Sequence, residues 1–325
     1  MKIFKKLLSI ALLSALCTTA LSMAACKPDA EYQDGGDVLK YSVIDKNSVA
    51  VTGITHTDDN NYVVIPKKYR GRYVTRIERE AFKYADWLEG ITIPDSVTSI
   101  GASAFESCKK LTSVTIPDSV TSIELMAFYL CKNLVSVIIP DSVTDIGWLA
   151  FAYCTNLTSL KMGNSVTAID GGAFTCCTGL TSVKLPDTVT SMGDSVFSGC
   201  ESLTEVNIPN RMTRISAGTF QDCYSLTGIT IPKSVTSIGS SAFADCKSLT
   251  SITIPDSVTG IDRHAFQYCF NASVTFENPD NWWYSESCDA TSGTDFDPSD
   301  LSDPVKAGWY LSAYSYSNYY WRRSA

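Results

Sequence analysis

Hydrophobic positions in this chain recur at an interval too long for any single helix or strand. Phe stands at 82, 105, 128, 151, 174, 197, 220, 243 and 266, each 23 residues after the last. Cys keeps the same spacing at 108, 131, 154, 177, 200, 223, 246 and 269. Pro keeps it at 94, 117, 140, 186, 209, 232 and 255, with Gly163 in the one missing place. Self-similarity at roughly 20 to 50 residues marks a solenoid, in which each unit buries its apolar face only by stacking on its neighbours. In Leu111-x-x-Val114-x-Ile116 the alternation predicts a short strand with Val114 and Ile116 inward and Thr115 outward. Pro117 ends that strand because it has no N–H to give to a ladder. Val120, Ile123 and Ala127-Phe128 then return to the core through a turn and a short helical piece, and Cys131 closes the coil. The expected architecture is an α/β solenoid of 23-residue coils, with a parallel β-sheet and short helical or irregular crossovers.

The ends of the array depart from the pattern, as terminal repeats must when they close a core against water. From Ile65-Pro66 to Ile93-Pro94 the step is 28 residues, the extra five lying in the basic loop KKYRGRY. One more strand therefore precedes the regular set. Upstream, LKYSVIDKNSVAVTGI alternates around Asp45-Lys46-Asn47 like a hairpin, and residues 38–61 are expected to cap the N-terminal end. At the other end Val274 and Phe276 come one residue early, with Asn271 at the Leu place, so the last coil is expected to be imperfect. Residues 278–325 follow as an aromatic-rich C-terminal cap to the 62–277 solenoid. In that cap Asp303-Pro304 starts a helix, with Asp as the capping residue and Pro in the first turn. Val305, Trp309 and Ser312 or Ala313 share one face of it, suited to covering the open end of the array.

The N-terminus adds an address. Three lysines precede an apolar stretch from Leu7 to Leu16, followed by small residues ahead of Cys26, the order of a secretory signal over residues 1–25. That apolar core is shorter than the roughly 20 residues a spanning helix needs. Met23-Ala24-Ala25-Cys26 resembles a bacterial lipobox, with Met in place of the usual Leu. The resemblance implies that Cys26 is the lipidated first residue of the mature chain, that residues 27–37 are a polar tether, and that a lipid is the only membrane attachment.

Composition removes several function classes. Losing the three signal lysines takes the formal charge from −8 to −11, and so acidic a chain lacks the electrostatic footprint of a nucleic-acid binder. His56 and His264 are the only histidines, too few for most histidine-dependent catalysis or zinc chemistry. The column of eight cysteines has no C-x-x-C pair and stacks parallel, same-facing Cβ vectors, which suits neither a metal nor a disulfide ladder. These are expected to be small buried thiols, and free thiols in an exported chain imply a poorly oxidising habitat. Asp289, Asp295, Asp297, Asp300 and Asp303 lie in a polar linker without the Gly and terminal Glu of an EF-hand. No cofactor and no metal site is expected.

The unit L-x-x-V-x-I-P-D-S-V-T-S-I-G-x-x-A-F-x-x-C resembles the BspA-type, or Treponema-type, leucine-rich repeat of bacterial surface proteins. The resemblance covers about residues 62–277. It implies a surface-exposed, non-enzymatic adhesion or recognition protein, and the chain is expected to be a monomer. The implied partners are host extracellular-matrix proteins, host cells or other bacteria, and a protein partner, of the host matrix or cell surface, is expected. The family brings no catalytic residues and no fixed binding positions, so any site must come from comparing one coil with the next.

That comparison singles out two adjacent coils. The places after the second Ile are small or polar in most coils but carry Leu125-Met126 and Trp148-Leu149 here, with Tyr129-Leu130 and Tyr153 just before the column cysteines. An apolar surface confined to neighbouring repeats is a candidate protein-binding site. Ile138 also replaces the outward Thr or Lys of its strand, on a different face of the coil. A runner-up is a glycan platform at the aromatic C-terminus built from Trp282, Trp283, Tyr316, Tyr319 and Trp321, since ring faces bind the apolar faces of sugars. Replacing Cys26 with Ser is expected to leave the fold intact and move the protein from the membrane fraction to the soluble one. Fractionation of cells carrying the variant checks this; retention in the membrane would contradict the lipid anchor.

Overall fold

A computed structural model describes residues 38–57, 59–313 and 317–324, all within one compact unit, Gln33–Ala325. The signal segment, Cys26 and the tether lie outside the described residues. Each coil runs along three hydrogen-bonded tracks. The first is the expected strand: in Ser113–Thr115, Val114 is buried while Ser113 and Thr115 are exposed, and the strand pairs in parallel with Gly90–Thr92 and Ser136–Ile138. The tripeptide stretch Tyr62–Val64 pairs in parallel with Gly90–Thr92 and opens this track.

The second track puts a strand of its own within the expected short crossover. After Pro117 and a turn, Ser122–Ile123 forms a second parallel strand, paired with Ser99–Ile100 on one side and Asp145–Ile146 on the other. Strands of two residues carry only one inward side chain each, so no alternation reveals them in the sequence. Hydroxyls in the turns just before these strands tie the coils together. Ser119, Ser142, Ser234 and Ser257 each donate to the carbonyl of a Val or Met one coil earlier, at 2.5 to 2.8 Å.

The third track is a ladder of turns. In the segment from Glu124 to Cys131, the N–H groups of Met126, Phe128 and Leu130 donate to Trp148, Ala150 and Ala152 of the next coil at 2.9, 2.7 and 2.9 Å. Those of Ala127, Tyr129 and Cys131 close turns on Glu124, Met126 and Phe128 of their own coil. Alternate groups point opposite ways because Met126 and Leu130 adopt left-handed backbone, with φ of 54° and 61°. That conformation costs a non-glycine residue roughly 1 to 2 kcal/mol, and the coil-to-coil bonds offset it by satisfying backbone groups that would otherwise be buried unpaired.

Inside this frame the nine phenylalanines form one continuous stack. Successive ring centroids lie 5.0 to 5.9 Å apart with planes within 18° of parallel, from Phe82 to Phe266. All nine are buried. Where the strand tracks are interrupted, side chains bridge instead. Asn207 both accepts from the Leu185 N–H at 2.7 Å and donates to its carbonyl at 2.9 Å, and Ser216 donates to the Met192 carbonyl at 2.6 Å.

At the N-terminal end Val38–Val43 and Ser48–Thr55 pair antiparallel, and Ser48–Thr55 pairs in parallel with Arg72–Ile77 of the second track. The Asp45 carboxylate accepts from the N–H groups of Asn47 and Ser48 and sets the turn between them. The basic loop is itself a small hairpin, Lys68–Tyr69 against Arg72–Ile77, turning through Arg70 and Gly71 at positive φ.

At the other end one expectation is corrected. Ala272, not Asn271, fills the buried Leu place, with its N–H on Cys269 just as Leu249 bonds Cys246. The missing residue falls after that place, and Ser273–Phe276 still pairs in register with Ser251–Ile254. Helices α1 (Pro298–Ser302) and α2 (Pro304–Ser312) follow, capped by Asp297 and Asp303. The face that α2 buries is also not the expected one. Ala307, Gly308, Leu311 and Ser312 are buried, whereas Val305 and Trp309 face solvent. Close packing decides this, because a Cβ at Gly308 would sit 2.0 Å from the Ala272 carbonyl oxygen. Beyond α2, Tyr320–Arg323 adds antiparallel to Gly260–Ile261 and to Trp282–Ser285. Trp282 and Trp321 pack on Phe276, and Phe296 packs on Trp321, extending the core past the last coil.

Because neighbouring coils complete one another, Phe174→Ala is expected to cost about 3 to 5 kcal/mol as a buried aromatic truncation. Urea denaturation measures the loss, and hydrogen exchange should show coils beside Phe174 loosened more than either end. A uniform loss of protection would contradict nearest-neighbour coupling.

Candidate interaction surface

The third track decides which side chains reach the surface of a turn. Positions occupied by Ala127, Phe128 and Cys131 point into the core, and those occupied by Leu125, Met126, Tyr129 and Leu130 point out. The next coil presents Trp148, Leu149 and Tyr153 from the same segment, and Met126 and Leu130 are hydrogen-bonded to it directly. All seven sequence-derived candidates therefore lie side by side on one face. Leu125, Trp148 and Tyr153 are 39%, 48% and 38% exposed, and the other four are half-buried. Tyr129 and Tyr153 meet edge to face at 5.6 Å. The following coil is cut down to fit: a Cβ on Gly171 would lie 3.2 Å from the Trp148 ring, and one on Gly172 would lie 2.5 Å from Leu149 Cδ2. The apolar ridge thus drops to a glycine floor.

The ridge is uncharged at its aromatic end. The neighbouring Cys176 and partial burial push the Tyr153 phenol above its ordinary value, and burial raises the Cys176 thiol. Ile138 sits elsewhere, on Ser136–Ile138 of the first track, 58% exposed. Val135 beside it is 46% exposed and escapes the comparison of coils, although it is the one large apolar residue in a register otherwise held by Glu89, Thr112, Thr158, Thr181, Thr204, Thr227, Thr250 and Ser273.

The structure corrects the aromatic platform. Trp282 and Trp321 are each 1% exposed and Trp283 is 7% exposed, so their ring faces are spent on the core. Their indoles are also used: Trp282 donates to the Asn278 carbonyl and Trp283 to the Ser324 hydroxyl. Tyr319 is half-buried against Tyr284, and Tyr316 lies outside the described residues. Local composition cannot tell a ring that closes a core from one that greets a ligand, and here the array's open end claimed them.

The column cysteines are free and buried. They do more than fill a corner, because each thiol donates to the carbonyl of the Phe 26 residues earlier, as Cys154 does to Phe128 at 3.3 Å and Cys177 to Phe151 at 3.2 Å. Burial pushes Cys154 and Cys223 up to about 12. Cys177 and Cys200 are raised well above the ordinary value for the same reason. Thiols held protonated in this way are neither nucleophiles nor ligands. Among the described residues no group of three His, Cys, Asp or Glu is placed to hold a metal, and no helix is long and apolar enough to cross a membrane.

The model of the BspA type leucine rich repeat region, in six copies, matches residues 75–200 and 150–273, more than half of the chain. The chain belongs to the BspA-type leucine-rich repeat family. Among solved structures it is similar to a T. pallidum leucine-rich repeat protein, 25% identical over 65% of this chain and 87% of that one, with a TM-score of 0.51. It also resembles a leucine rich cell surface protein of Faecalibacterium prausnitzii, 25% identical over 78% and 96% of the two chains at a TM-score of 0.35. The pneumococcal vaccine antigen PcpA is 18% identical over 77% and 82%, at a TM-score of 0.49. No curated protein matches the chain. In the BspA-type frame the repeat signature is thereby explained residue by residue, and the apolar ridge is what the signature does not require.

The thiol column makes stability depend on pH. Folded Cys154, Cys177, Cys200 and Cys223 keep their protons to higher pH than the ordinary 9.0, so the unfolded chain releases protons first as pH rises. Their contribution is fully present below about pH 9 and is lost progressively toward pH 12. Urea midpoints are expected to fall between pH 8 and pH 10.5, roughly the first half of that window. Iodoacetamide under native conditions at neutral pH should label exposed Cys288 well before any column cysteine. A flat midpoint, or rapid labelling of the column, would contradict this account.

Proposed function

We propose that this BspA-type protein is a non-enzymatic, extracytoplasmic lipoprotein that recognises a protein partner through the ridge of Leu125, Met126, Tyr129, Leu130, Trp148, Leu149 and Tyr153. The observation that carries the reading is that large apolar side chains take the two places after the second Ile on two hydrogen-bonded coils only, and stand half out in water there. The fold has no use for them in that position, since the same places hold Ala102-Ser103, Gly171-Gly172 and Ser240-Ser241 in other coils of the same frame. An exposed apolar patch of this kind is costly to keep and marks an interaction surface. Trp and Tyr are the residues best suited to anchor a protein interface, because they bury much area with little loss of rotamer freedom.

Support for the location comes from the order of basic, apolar and small residues before Cys26. The family supports a binding scaffold, and host matrix or cell-surface proteins are the partner class we favour. The partner binds a single copy of the chain, held at the membrane by its lipid.

The chain from Lys27, without its lipid, isolates the test. Leu125→Ser with Trp148→Ser is expected to change folding stability by no more than about 0.5 kcal/mol, as surface substitutions do. The same pair should weaken binding to immobilised extracellular-matrix proteins by at least tenfold in a surface-plasmon titration. Binding left unchanged would remove the ridge from the interface. A large loss of stability would return both side chains to a packing role.

A further inference from the structure

Helix α2 is inverted in what it buries. It presses Ala307, Gly308 and Ser312 against the last coil and leaves Val305 and Trp309 70% and 56% exposed. Four residues apart, these two stand on one side of the helix. Asp300 of α1 faces them. One carboxylate oxygen accepts from the Tyr310 hydroxyl at 3.0 Å and the other from Lys306 Nζ at 3.2 Å. Asp300, Val305, Lys306, Trp309 and Tyr310 together line an open depression of about 430 Å³.

We propose that this depression binds one or two rings of a neutral saccharide. The indole face offers a stacking surface for the C–H face of a pyranose, with Val305 extending it. Beside it, the Asp300 carboxylate accepts from one ring hydroxyl while Lys306 donates to the next, the paired acceptor and donor that a vicinal diol requires. Two features argue for this occupant over a protein or a second copy. The apolar part is two side chains, far short of the roughly 800 Å² per partner that a stable protein interface buries. The flanking carboxylate and ammonium cancel, which favours an uncharged ligand. The site shares no residue with the ridge on the central coils, so either can fail without the other.

The test titrates the chain from Lys27 with the methyl glycosides of glucose, galactose, mannose and N-acetylglucosamine and with their β-1,4-linked disaccharides, followed by indole N–H signals in NMR. At least one probe is expected to bind at millimolar concentration and to shift the Trp309 signal. Trp309→Ala should abolish that binding, Asp300→Asn should weaken it about tenfold, and Trp148→Ser should leave it unchanged. All three variants should keep the wild-type unfolding midpoint, since each changed side chain is at least partly exposed. Failure of every probe, or binding that survives Trp309→Ala, overturns the proposal. So does self-association of the chain that Trp309→Ala removes, which would give the surface to a second copy.

Discussion

No coil of this protein is complete by itself. Half of the backbone N–H groups in each turn segment aim at the neighbouring coil, the thiol of each column cysteine reaches back to the previous one, and each of the nine repeat phenylalanines stacks on another. A lone coil would leave those donors unpaired in an apolar interior, at a cost comparable to its whole share of stability. Everything else follows from that incompleteness. The left-handed residues persist because the ladder needs their geometry, hydroxyls appear where a carbonyl of the earlier coil waits for a donor, and both ends carry additional strands, with helices at the C-terminal end.

The same constraint explains what the sequence discloses. A unit that must match its neighbour must repeat, so Phe82 through Phe266 announce the solenoid, and Val114 with Ile116 announce the first strand. The second strand stayed hidden because Ser122–Ile123 is too short to alternate. The turn ladder stayed hidden for a different reason. Its conformation is tolerated by Met126, Leu149, Ser195 and Gly218 alike, so no residue type marks the position. The cysteines looked like small apolar fillers, and their role as donors shows only once the Phe128 carbonyl is seen beside Cys154.

Repetition also makes the candidate surface legible, by contrast. Leu125 and Trp148 stand out against coils that differ little from one another, and the frame then fixes which way they point. Where the repeat ends, that contrast is lost. Trp282, Trp321 and Trp309 all sit in one aromatic-rich stretch, yet two close the core and the third faces water. Nothing local separates them, because the deciding contacts come from Phe276, Ala272 and the strand Gly260–Ile261, distant in sequence.

Hydrogen exchange followed residue by residue in the native protein tests the dependence of one coil on the next most directly. The amides of Phe128, Phe151 and Phe174, each bonded to the following coil, are expected to exchange only through opening of several coils together and to share one high protection. Protection should decline towards both ends of the array. Exchange of these amides as fast as that of the exposed residues 286–289, or protection that differs sharply between adjacent coils, would contradict the account.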